Sequence, residues 1–172
     1  MMKKICGIVL CVLLISLGAF ALADVEINAT NFPDENFREY VSQFDKDGNG
    51  SFSKKELAKV KAIYVYEKKI TSLQGVEYFP ALTKLECYGN QLTTLDLSGN
   101  TALAELDCGY NQLTSLDVSK NTALTNLDCS DNQITSLNTS KNTALIELSC
   151  GSNRLTAQDD SGKMSSCRLT VK

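Results

Sequence analysis

The chain has 172 residues, with 17 Lys plus Arg against 20 Asp plus Glu, a formal net charge of −3 and no histidine. That acidic balance argues against nucleic acid or an anionic membrane as the partner. The missing histidine removes the most frequent general base and metal ligand, so any site must be built from carboxylates, amides, hydroxyls or thiols.

Residues 1–23 read as a signal peptide. Lys3 and Lys4 precede an apolar run from Ile5 to Phe20 that closes on Ala21-Leu22-Ala23, the order of a secretory leader with a small-x-small cleavage site. The run is short for a bilayer span. The expected product starts at Asp24, is soluble and off the membrane, and is either secreted or periplasmic. Cys6 and Cys11 leave with the leader, so five of the seven cysteines stay in the mature chain.

Residues 24–59 predict a helical cap around a metal loop. A helix is expected over Pro33–Phe44, with Phe37, Tyr40, Val41 and Phe44 along one side. The segment that follows, DKDGNGSFSKKE, has the spacing of an EF-hand loop. Asp45, Asp47 and Asn49 stand at positions one, three and five, Gly50 at the sharp bend, Ser51 where a backbone carbonyl serves, Ser53 where a water is held, and Glu56 where both carboxylate oxygens bind. Hard oxygens in this number suit Ca2+, and the site is read as structural. Ser53 is also expected to cap the exiting helix, with Glu56 completing a capping box.

From residue 60 to 172 the chain is a repeat. Leu82, Leu103, Leu124 and Leu145 recur every 21 residues, as do Leu85, Leu106, Leu127 and Leu148, the cysteines 87, 108, 129 and 150, and the asparagines 90, 111, 132 and 153. A strict period of this length means a solenoid, because one coil cannot bury its own apolar side and must stack on a neighbour. Each unit also contains two similar halves, L-x-x-L-x-C-x-x-N and L-x-x-L-D-L-S-x-N, which predicts two short strands per coil. Alternation then turns Leu85, Cys87, Leu95 and Leu97 inward and Glu86 and Asp96 outward. The asparagines are expected inside the turns, where an amide can satisfy both N–H and C=O groups. A cysteine alternating with leucine behaves as a small apolar side chain, so buried thiols are favoured over disulfides or zinc for this ladder. Val60, Ile63, Val65, Ile70 and Leu73 extend the pattern upstream with a step of 22, and Leu169 and Val171 extend it downstream as a closing strand. The first and last coils are thus degenerate caps.

On these residues, above all NFPDENFREYVSQFDKDGNGSFSKKEL and ITSLQGVEYFPALTKLECYGNQLTTLDLSGNTAL, the chain resembles bacterial secreted leucine-rich-repeat proteins of the internalin-like kind, in the nested 21-residue subclass. The resemblance implies an α/β repeat fold: a solenoid of short parallel strands, few or no helices in the repeats, and a helix-loop-helix cap. It also implies an exported, monomeric recognition module that meets a protein or peptide on host or neighbouring cells. The outward strand positions are the candidate partner-binding residues: Lys84, Glu86, Tyr88, Glu105, Asp107, Tyr110, Asn126, Asp128 and Glu147. Their acidic bias suits a basic partner. Asp96, Asp117 and Asn138 form a second row, read as turn chemistry. An enzyme is not expected, because no nucleophile and base share a motif. The alternative is a calcium-stabilised envelope protein without a specific ligand.

Overall fold

The computed structural model describes residues 24–155 and the strand 168–170; the predicted leader lies outside the described residues. The cap comes first in the chain. Strand β1 (Val25–Glu26) pairs antiparallel with β2 (Ser51–Phe52), and between them runs helix α1 (Glu35–Ser42). Asp34 caps α1 by accepting from the Phe37 N–H, and Phe37 and Val41 face inward. Helix α2 (Lys54–Leu57) is a single turn with the predicted capping box formed by Ser53 and Glu56. Helix α1 is shorter than the expected Pro33–Phe44. The chain must leave α2 early because Val60 and Ile63 are already buried in the first coil.

Five strands then stack in parallel: β3 (Ala62–Tyr64), β4 (Lys84–Glu86), β5 (Glu105–Asp107), β6 (Asn126–Asp128) and β7 (Glu147–Ser149). The register follows the repeat, with Ile63 beside Leu85, then Leu106, Leu127 and Leu148. These residues are almost wholly buried, as are Leu82, Leu92, Leu97, Leu103 and Leu113. Each such leucine contributes about 1.5–3 kcal/mol. The core continues without a break into the cap through Phe32, Phe37, Phe52 and Phe79. At that junction Gly75 has φ +104, and a Cβ there would lie 2.3 Å from Phe32 Cδ1 and 2.7 Å from the Asn31 carbonyl oxygen, so only glycine lets the cap close on the first coil.

Three expectations about the coils are corrected. The described coils hold one strand each, not two: in the second half Asp96, Asp117 and Asn138 accept through Oδ1 from the N–H of Ser98, Ser119 and Ser140. This local bond bends the L-D-L segment into a turn and takes the N–H that a ladder would need. The last strand, β8 (Arg168–Thr170), does join the sheet, but it pairs antiparallel with β7, with Leu169 opposite Leu148. It therefore closes the edge as a returning segment and not as a further coil. Cys150 is disulfide-bonded, whereas Cys87, Cys108 and Cys129 are buried free thiols as expected.

The asparagine ladder fills the turn after each strand. Asn111 donates through Nδ2 to the carbonyls of Cys87, Cys108 and Gly109 at 3.0–3.1 Å, and its Oδ1 accepts from the Leu92 N–H at 3.0 Å. Asn90, Asn132 and Asn153 repeat this bonding in their own coils. The residue before each asparagine (Gly89, Tyr110, Asp131, Ser152) sits at φ between +49 and +68. That left-handed step belongs to the tight turn that carries the amide inward.

Candidate metal loop and interaction face

The loop from Asp45 to Glu56 is shaped by its own side chains. Asp45 accepts from the Gly48 N–H through Oδ1 and from the Gly50 N–H through Oδ2, both at 2.8 Å. Asp47 Oδ1 accepts from the Asn49 N–H, and Asn49 Oδ1 from the Ser51 N–H. Gly48 and Gly50 take φ +70 and +81, which L side chains rarely adopt. Bent this way, the loop brings one carboxylate oxygen each from Asp45, Asp47 and Glu56 within 4.8 Å of one another, close enough to hold a metal ion. Among the described residues these are the one group of three or more His, Cys, Asp or Glu so placed.

Glu56 is the anchor. Its Oε1 accepts from the Lys46 N–H at 2.7 Å, and its Oε2 from the N–H and hydroxyl of Ser53 at 2.9 and 2.7 Å. The Lys46 bond and then the Ser53 bonds hold its carboxyl down to a pKa of about 2. These bonds hold the Glu56 carboxylate in place within the loop. The Ser53 hydroxyl, expected to hold a water, donates to Glu56 in this structure. Strand β1, which sequence reasoning did not single out, pins the far side of the loop by pairing Glu26 with Ser51.

The outward face of the sheet gathers most of the second residue set. Lys84, Glu86, Glu105, Asp107, Asn126, Asp128 and Glu147 line one shallow groove across the strands, together with Ser149, over the backbone of Leu85, Leu106 and Leu127. Lys84 Nζ lies 3.0 Å from Glu86 Oε1 and 2.9 Å from Glu105 Oε2, and 6.0 Å from the centre of the Tyr64 ring. The Glu105 and Glu86 bonds hold the Lys84 ammonium well above its usual pKa. Asn126 Nδ2 donates to Glu147 Oε2 at 2.7 Å. Burial pushes the Asp107 carboxyl up, the neighbouring charges of Asp128 and Glu86 add to this, and the Gly109 N–H opposes it.

Tyr88 and Tyr110 lie to one side of the groove, their ring centres 5.2 Å apart and edge to face. The structure adds two further exposed tyrosines in the first coil, Tyr64 and Tyr66. Sequence reasoning missed them because they sit in the first coil, where the step is 22. The alignment of Tyr64 with Glu86 was available from that step.

Stacked coils with one parallel strand each, a leucine core, and inward asparagine and cysteine ladders define a leucine-rich-repeat solenoid with a capped front edge. No family model matches the chain. Over 71 residues, 41% of this chain, it is 40% identical to Internalin J of Listeria monocytogenes serotype 4b (strain F2365), of which the match covers 8%. The solved functional domain of the Listeria monocytogenes Internalin J, which includes a cysteine ladder, is similar with a TM-score of 0.74 and 38% identity, over 81% of this chain and 31% of that one. An internalin, InlF, from Listeria monocytogenes 4b F2365 shares the fold at a TM-score of 0.66 and 22% identity, over 80% of this chain and 48% of that chain. The protein is internalin-like, and it spans well under two thirds of Internalin J.

Proposed function

We propose that this protein is an exported recognition module that holds a protein or peptide partner on the outward face of its sheet, with a structural calcium ion in the front loop. The observation that carries the first part is the groove itself. Seven of the nine candidate side chains line it, five of them carboxylates against the one ammonium of Lys84. A rigid sheet that presents a clear excess of negative charge beside exposed tyrosines suits recognition, since little ordering is required when a partner binds. Export through the leader at residues 1–23 and cell-surface encounter belong to the same proposal.

The loop residues fit calcium. Asp45, Asp47, Asn49 and Glu56 would supply side-chain oxygens, Ser51 its carbonyl, and Ser53 a bridging water. Converging carboxylates and two left-handed glycines provide the donor chemistry and the bend. When bound, the ion supplies positive charge that offsets repulsion among the three carboxylates.

The test is affinity capture on the mature chain from host or neighbouring-cell extracts, in calcium and in chelator, beside a Tyr88→Ala/Tyr110→Ala variant with an unchanged melt. A protein retained by the native chain and lost on the variant is the expected result. Equal retention by both, or nothing retained, overturns the recognition reading and leaves a structural envelope role.

A further inference from the structure

Lys84 shows how this face treats a cation. Its amino group is closed in by a carboxylate from its own strand, Glu86, and one from the next, Glu105, at 3.0 and 2.9 Å. The two columns of the groove repeat at the strand spacing of about 4.8 Å. One coil further on, Glu86 is followed by Asp107 and then Asp128, while the place of Lys84 is taken by Glu105 and then Asn126. The same pair of columns thus offers carboxylates without a basic residue of the chain between them.

Asp107 and Asp128 are also held ready. Each accepts through Oδ1 from a backbone N–H two residues on, Asp107 from Gly109 at 3.1 Å and Asp128 from Ser130 at 2.9 Å. Both are partly buried. Both oxygens converge on Gly109, where an added Cβ would lie 3.4 Å from each. Two fixed, like-charged carboxylates at adjacent rungs repel one another, and a cation placed against both relieves that repulsion. An acidic or neutral segment would gain nothing comparable there.

Resting on the recognition face proposed above, we infer that the partner contributes a basic peptide segment lying across the strands, with one lysine or arginine seated against Asp107 and Asp128 as Lys84 is seated against Glu86 and Glu105. The edge-to-face pair of Tyr88 and Tyr110 adjoins this seat in the repeat register, with Tyr88 preceding Gly109 by one coil. Its rings suit the stem or the planar head of such a side chain.

The experiment measures binding of fluorescein-labelled hexalysine, with hexaglutamate as the control, to the mature chain by anisotropy at low and high salt. Asp107→Asn/Asp128→Asn keeps the Oδ1 acceptors for Gly109 and Ser130 and removes only charge. Asp96→Asn/Asp117→Asn removes the same charge from the other row, where Asn138 already shows that asparagine fits. The expected result is hexalysine binding that weakens about tenfold in the first double variant and stays unchanged in the second, while Lys84→Met strengthens it by freeing Glu86 and Glu105. No hexalysine binding, or equal weakening in both double variants as general attraction to an acidic protein would give, overturns the inference. If a captured partner is lost on the tyrosine variant yet kept by Asp107→Asn/Asp128→Asn, the basic anchor is wrong and the recognition face stands.

Discussion

Two asparagine columns run through this protein, and they are not equivalent. Asn111 uses both ends of its amide, satisfying three carbonyls and one N–H across two coils. Asn121 donates to the carbonyls of Leu97 and Asn100, but its buried Oδ1 has no hydrogen-bond partner, and the same holds for Asn100 and Asn142. Losing a partner of several buried groups costs more than losing an amide that is itself half satisfied. Asn111→Ala should therefore destabilise by about 2–4 kcal/mol and Asn121→Ala by about 1–2 kcal/mol, read from urea unfolding midpoints. Similar losses for the two would refute the distinction. Both columns were legible in the sequence as inward residues, because the 21-residue register fixes their place; the unpaired oxygens were not, since they depend on where single N–H groups point.

The cysteines divide in the same way. Burial raises the Cys87 thiol, raises Cys108 well above its ordinary value, and lifts Cys129 to about 12. Only the thiolate is nucleophilic, so these three should resist iodoacetamide at neutral pH in the native state and react fully in denaturant, mapped by peptide mass spectrometry. Labelling of Cys108 under native conditions would contradict its burial. The identical spacing of Cys150 gave no sign of its disulfide, because a repeat position reports which way a side chain points and not what meets it at the end of the stack.

Among the elements, α1 shows how a short helix becomes part of a larger core. Asp34 caps it through Oδ1 and with Oδ2 accepts from the N–H and hydroxyl of Thr71 at 2.8 and 2.9 Å, so one carboxylate joins cap and first coil. Tyr40, on the same helix, accepts at its hydroxyl from the Tyr64 N–H at 2.9 Å, covering an otherwise open edge of β3. Burial pushes the Asp34 carboxyl up, but the hydrogen bonds from Thr71 and Phe37 outweigh it and leave the pKa below the usual carboxylate range. A depressed folded pKa gives stability that is complete above the unfolded value near 3.9 and is lost as pH falls through the folded one. Asp34→Asn keeps the cap but loses the bond from the Thr71 N–H and the charge that strengthens the one from its hydroxyl, so melts should show about 1–2 kcal/mol of destabilisation at pH 6 and a shallower decline below pH 4. A variant that falls as steeply with acid as the native chain would sink the argument. Helix α1 and the strands β4 to β7 were readable from periodicity. The missing second strands and the reversed direction of β8 were not: an aspartate oxygen claiming its neighbour's N–H outcompetes a ladder, and strand direction at an edge is set by the connection and not by side-chain alternation.

At the scale of the whole molecule, the front loop and the solenoid share one core. Phe52 of β2 has its ring centre 5.7 Å from Phe32 and 5.6 Å from Phe79, and Phe44, just before the loop, lies 6.0 Å from Phe79. Phe79 leads directly into the first regular coil. Whatever steadies the loop therefore steadies the edge on which all later coils stack, because a solenoid's stability is transmitted between nearest neighbours. On the proposed calcium reading, an affinity of about 0.1 mM, typical of extracellular modules, predicts that millimolar calcium adds about 1.5 kcal/mol by binding only the folded state. For a domain of this size that corresponds to a rise of about 5 °C in Tm, in a single transition. Asp47→Asn separates this effect from loop integrity, since it keeps the Oδ1 acceptor for the Asn49 N–H while removing a charge. In chelator the variant should melt at or slightly above the native chain, relieved of carboxylate repulsion, and in calcium it should gain less. Superimposable native melts with and without calcium would remove the ion from the account of stability, and a variant equally responsive to calcium would move the ion elsewhere.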